Sequence, residues 1–171
     1  MKGRAFTTLS ELCHREWLSD VLKIPRDPGP AGIDLVDGHI GVEMKCRYDR
    51  WSPIFTIHAY QRKHFRQQNP GVTLYWAFLL YGLSKFPEKI KDADLNLYIS
   101  RRDCWFLPWS FVGQFPIWSP KTGPYIYVNK KAIPSDNAFI IRDVNGGRLY
   151  LPKDARILEE RLSEAYQTVP F

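Results

Sequence analysis

Apolar residues recur along this chain with two different periods, and the change of period marks out its elements. From Leu9 to Leu22, residues Leu9, Leu12, Cys13, Trp17, Val21 and Leu22 stand three and four apart. That spacing predicts an amphipathic helix starting near Thr8. PRDPGPAG (25–32) is too rich in proline and glycine to continue a helix and reads as a loop. GIDLVDGHIGVEMKCR (32–47) then presents two apolar runs on either side of Asp37-Gly38, the pattern of a hairpin closed by a two-residue type I′ turn. A short strand at IFTI (54–57) follows, and a polar helix from about His58 to Gln68 stops at NPG. VTLYWAFLLY (72–81) is apolar on both alternations, as expected for a central strand covered on each face.

Further on, LNLYIS (95–100) and CWFL (104–107) predict two strands, PWSFVGQF (108–115) a helical turn, and YIYV (125–128) a short strand among prolines and turn residues. FIIR and RLYL flank DVNGG as a second hairpin. PKDARILEERLSEAY (152–166) closes the chain as a helix with proline near its first turn. Without a repeat, linker or low-complexity tract, the 171 residues read as one mixed α/β domain over 1–171.

Composition adds constraints. At 44% hydrophobic residues the chain can bury one real core. No apolar run is long enough to cross a bilayer, and the N-terminal residues lack a secretory h-region, so the reading is a soluble, intracellular protein with no membrane partner. Cys13, Cys46 and Cys104 are odd in number and form no C-x-x-C pair, which predicts free thiols rather than disulfides or zinc. A net charge of +6 favours a polyanionic partner. Basic residues gather in CRYDRW (46–51) and YQRKHFRQQ (60–68), although a solvated helix face explains the second cluster equally well.

The first hairpin carries charges where its apolar runs would lead one to expect core. With a turn at Asp37-Gly38, Asp34 lies opposite Gly41, and Asp34, Gly41, Glu43 and Lys45 share one face. Ile33, Leu35, Ile40, Val42, Met44 and Cys46 take the other. Asp34 and Glu43 are then diagonal neighbours about 7–8 Å apart, able to converge on one cation across the open space left by Gly41. Hard divalent ions such as Mg²⁺ bind through one or two carboxylates and keep waters for a phosphate substrate to displace. Lys45, about 6.6 Å beyond Glu43, is placed to orient a water or stabilise negative charge.

GID followed by VEMK resembles the PD-(D/E)XK nuclease superfamily, and most closely its archaeal Holliday-junction resolvase and Mrr-like branch. The likeness covers about residues 9–80, and Gly32-Ile33 stands where a proline often precedes the aspartate. It implies a restriction-endonuclease-like α/β core, a central mixed β-sheet flanked by helices. It also implies a Mg²⁺-dependent DNA endonuclease, with Mn²⁺ able to substitute, acting as a homodimer where both strands or a four-way junction are cut. Asp34 and Glu43 would hold the metal, and Lys45 would assist the water. Glu11 falls where the branch places a further metal-linked glutamate, and Gln61 where the following helix often contributes a glutamine.

Plainer roles compete for several of these residues. TLSE (8–11) is a capping box that accounts for Glu11 without a metal, and Glu16 is an alternative one to two turns on. Gln61 fits an exposed helix position equally well, and His58 competes with it as a phosphate or water contact. The hairpin charges themselves suit the solvent side of an amphipathic ribbon. His14, His39 and His64 lack metal-ligand spacing. The tryptophans and tyrosines, Trp105 and Trp109 among them, suit base stacking, although apolar neighbours place most of them in the core. A sequence-specific restriction or homing-type endonuclease, a silent DNA-binding module and an RNA-directed nuclease stand as alternatives to a resolvase.

Overall fold

The three-and-four spacing at the N-terminus extends further back than Thr8. In the computed structural model, which describes residues 2–27, 29, 32–90, 94–134, 139–143 and 149–150, helix α1 runs Lys2–Leu22. The added turns bring Phe6 into the core, fully buried, with its ring edge-on to Tyr48 and Trp51 at 6.2 and 5.6 Å. Thr8 is therefore a mid-helix residue whose hydroxyl donates to the Arg4 carbonyl at 3.1 Å. It caps nothing, and the capping-box account of Glu11 falls.

The strands form a mixed six-stranded sheet in the order β1-β2-β4-β5-β8-β9, from β1 (Leu35–Val36), β2 (Ile40–Tyr48), β4 (Thr73–Leu83), β5 (Ile99–Pro108), β8 (Phe139–Asp143) and β9 (Leu149–Tyr150). Among the described residues only β2 and β4 pair in parallel, joined by a crossover through β3 (Ile54–His58) and α2 (Ala59–Gln68). Strand β4 is buried on both faces, as its sequence predicts. Tyr75, Ala77, Leu79 and Tyr81 pack with α1, whereas Trp76, Phe78 and Leu80 meet a second, three-stranded sheet. That sheet is ordered β3-β7-β6, with β6 at Ile117–Trp118 and β7 at Tyr125–Asn129. The central sheet is thus covered by α1 on one side and mainly by a small sheet on the other. No helix among the described residues is long and apolar enough to cross a membrane.

Two expectations change in the second half. LNLYIS and CWFL do not make two strands: a single strand, β5, takes in Ile99, Ser100 and CWFL, and Leu95–Leu97 form a helical turn before it. Asp94 starts that turn by accepting the Asn96 N–H, so local capping overrides the alternating pattern. Strands β8 and β9 pair antiparallel as expected of the second hairpin. Its connecting residues 144–148 and the expected helix at 152–166 lie outside the described residues.

A buried polar knot ties α1 to β5. Arg102 donates to His14 Nδ1 at 3.2 Å, to Asn96 at 3.0 Å and to Asp143 at 2.7 Å, and stacks over Trp17. Burial, reinforced by the guanidinium, pushes His14 down to about 3, so the ring is neutral at physiological pH. Its role is structural.

Candidate active site

The type I′ turn does not form. Asp37 N–H donates to the Ile40 carbonyl at 3.0 Å, which places the two-residue loop at Gly38-His39, and neither residue has positive φ. The Asp37 carboxylate instead accepts the His39 and Ile40 N–H groups, both at 2.8 Å, an Asx-type turn that needs no left-handed backbone. Pairing moves by two residues, to Leu35 opposite Val42 and Val36 opposite Gly41. A shift of two preserves the faces. Asp34, in a bend just before β1, then comes beside Glu43 and no longer lies opposite Gly41.

Strand β1 ends after two residues, so the edge of β2 beyond Val42 lacks a strand partner on that side. Asp34 fills the gap: its Oδ2 accepts the Met44 N–H at 2.8 Å, and Glu43 Oε2 accepts the Asp34 N–H at 3.2 Å. Ile33 departs from its expected face and packs with Phe65 and Leu74 beneath the hairpin. Gly41 serves that packing and does not open a space between the carboxylates. A Cβ there would meet Leu74 Cδ2 at 2.7 Å and Ile33 Cδ1 at 3.4 Å.

Three further groups converge on the pair. Lys45, two residues along β2, places Nζ 2.7 Å from Glu43 Oε1. Gln61, on the first turn of α2, donates to the same oxygen at 3.4 Å. Arg15, on α1, pairs with Asp34 Oδ1 at 2.8 Å. Arg15 is not legible in the sequence as a site residue, although it stands four residues after Glu11 and so shares its helix face. Glu11 lines the same cleft of about 500 Å³, as do His58, Tyr60 and His64. Glu16 pairs at the surface with Arg26 at 3.4 Å and is no substitute for Glu11.

Burial governs the electrostatics. The Glu43 side chain is only 5% exposed, and desolvation, aided by the Asp34 charge, pushes its carboxyl up to about 7 against the opposing pull of Lys45. Desolvation also works against the Lys45 ammonium. The surrounding carboxylates of Glu43, Asp34 and Glu11 outweigh it, so Lys45 lies above the usual lysine range and is charged at neutral pH. Glu11 is raised by partial desolvation, with Lys45 and Arg15 opposing and Asp34 adding to the shift.

Among the described residues no group of three or more His, Cys, Asp or Glu side chains is arranged as a metal cluster. The residues that can take a cation are the Asp34–Glu43 pair, with Glu11 at the rim. They fit a hard divalent ion on two counts: the donors are carboxylate oxygens, and the neighbouring Gln61 Oε1 is buried without a hydrogen-bond partner.

Both tryptophan candidates resolve as structure. Trp105 is buried, and Trp109 stacks on Trp76 with centroids 4.1 Å apart and planes 5° off parallel. Neither presents a ring face for bases, because apolar packing and the Trp109 donation to the Arg62 carbonyl already hold them. Cys13, Cys46 and Cys104 are free thiols. No family model matches the chain, and no curated protein matches it.

Proposed function

We propose that this chain is a Mg²⁺-dependent endodeoxyribonuclease with a restriction-endonuclease-like core. The observation that supports the reading best is the Asp34–Glu43 pair, laced together at the edge of a hairpin by hydrogen bonds to backbone amides, with Lys45 ion-paired to Glu43 in one cleft. Asp34 and Glu43 would hold the ion, and Glu11 would support its water shell from the rim. When bound, Mg²⁺ offsets the negative charge that builds on a phosphodiester under attack.

The chain's own groups supply the rest. Lys45, charged and mostly shielded from solvent, donates a hydrogen bond to the attacking water or to the phosphate oxygen on which charge accumulates. Gln61 positions Glu43 from the α2 side, and Arg15 holds Asp34 in place from α1. The excess of cations over carboxylates in the chain favours a phosphate polymer. DNA rather than RNA, a branched substrate and a two-fold dimer follow from the superfamily resemblance.

Incubation with supercoiled plasmid tests the reading. Nicking in Mg²⁺ that EDTA abolishes is expected, with matched RNA cut more slowly than DNA. Retention of plasmid without nicking at any Mg²⁺ or Mn²⁺ concentration would leave a DNA-binding module of the same architecture.

A further inference from the structure

The strands that cover the core opposite α1 turn a row of aromatic rings outward, and the row begins at the wall of the cleft. On β3 and β7 the residues Phe55, Ile57, Ile126 and Val128 face the core. The alternate positions face solvent, where Thr56 is registered with Tyr127 and His58 with Tyr125. One strand further, Trp118 of β6 lies opposite Tyr125. Trp118 is 58% exposed, Tyr127 39% and Tyr60 59%, an unusual degree of exposure for large rings. His58 links the row to α2, with its ring 4.8 Å from Tyr125 and 5.7 Å from Tyr60. His58 and Tyr60 also line the cleft that holds Asp34, Glu43 and Lys45.

Charge in the same region is one-sided. Residues 50–71 and 109–134, which build β3, α2, β6 and β7, contain seven lysines and arginines and no aspartate or glutamate. The net charge of the whole chain is +6, so these two segments carry all of its positive excess. Lys63, Lys121, Lys130 and Lys131 are exposed.

We propose that this sheet face binds unpaired nucleotides of the substrate, with bases stacked on the outward rings and phosphates neutralised by the flanking lysines. The proposal rests on the nuclease reading and adds a substrate class: DNA with a single-stranded segment, such as a flap or gap, next to the scissile bond. A continuous duplex keeps its base faces stacked and offers a sheet only phosphates and groove edges, so it cannot use these rings. Unpaired bases can, because each has a π-face to stack, and lysines along the strand path supply the electrostatic attraction. The row from Trp118 to His58 crosses two inter-strand steps of about 4.8 Å each, room for two or three stacked nucleotides.

The test is binding in EDTA, where no metal-dependent cleavage intervenes. A fluorescein-labelled single-stranded oligonucleotide and a duplex of equal length are titrated with the full chain and with Trp118→Ala and Tyr127→Ala. Both substitutions are at exposed positions outside the cleft. Tighter binding of the single strand is expected, weakened about tenfold by each substitution, the scale of one lost base stack, with duplex affinity within about twofold of the parent. Equal binding of single strand and duplex by the parent, or unaltered single-strand binding by both variants, overturns the proposal. So does a change of sedimentation in the variants, which would make this face a contact between copies of the chain. Failure of the nuclease reading is a separate result: ring-dependent single-strand binding in a protein that cuts nothing in Mg²⁺ keeps the platform and removes the enzyme.

Discussion

Asp34 and Glu43 are laced together through the backbone of the hairpin: Glu43 Oε2 takes the Asp34 amide at 3.2 Å, and Asp34 Oδ2 takes the Met44 amide at 2.8 Å. The carboxylates are therefore held by the edge of the sheet itself, before any ion is considered. Their remaining oxygens face Lys45, Gln61 and Arg15.

Metal affinity is expected to depend on pH through Glu43. Its carboxyl, raised to about 7, must lose its proton to bind a cation. Affinity for Mg²⁺ or Mn²⁺ should fall about tenfold per pH unit below 7 and level off above it. Calorimetric titration at pH 6, 7 and 8 measures this. Stability of the metal-free protein has its own pH dependence: a carboxyl with a raised folded-state pKa favours the folded state when protonated. That contribution is lost as pH rises from about 4.5 to 7.

Removing the ammonium isolates a buried carboxylate. Lys45→Met is expected to push the Glu43 carboxyl higher still, so that it keeps its proton at pH 8, and to destabilise the protein there by about 1–2 kcal/mol more than at pH 5. The deficit should shrink at pH 5, where Glu43 is protonated in the parent as well. Urea unfolding at the two pH values checks the sign, and an equal loss at both would remove the Glu43–Lys45 ion pair as its cause.

Gly41 is a packing position. Gly41→Ala forces a Cβ against Leu74 and Ile33 and should cost about 1–3 kcal/mol, read as a lower urea midpoint with an unchanged slope. A neutral effect would restore the alternative, that this glycine keeps a space open between the carboxylates.

The knot around Arg102 is separate from the cleft. Arg102→Met strips donors from buried His14 and from Asn96, and should cost about 3 kcal/mol. Metal affinity measured below the lowered melting temperature should match the parent.

Periodicity explains which parts of the fold are legible in the sequence. The doubly buried β4, the hairpin, α2 and the shared face of Asp34, Glu43 and Lys45 are all readable, because side-chain direction in a strand depends only on parity. The register is not. Asp-Gly suggests a left-handed turn, but the Asp37 carboxylate caps the loop one residue later, and no spacing rule weighs a side-chain cap against a glycine. Glu11 reads as part of a helix cap because nothing before Thr8 signals that the helix begins at Lys2. Arg15 is not singled out by the sequence, and the rings of β6 and β7 are readable only as tryptophans and tyrosines able to stack on bases, for a different reason. Their proximity to the cleft depends on how α1 and the second sheet pack, which local pattern does not encode.

The enzyme reading requires that the paired carboxylates of Asp34 and Glu43 work with Lys45 on a phosphodiester. Initial rates of plasmid nicking in saturating Mg²⁺, for the parent and for Asp34→Asn with its fold verified by circular dichroism, measure this most directly. The expected result is metal-dependent nicking by the parent and a loss of at least about a hundredfold in the variant. Nicking at the parental rate by folded Asp34→Asn would contradict it.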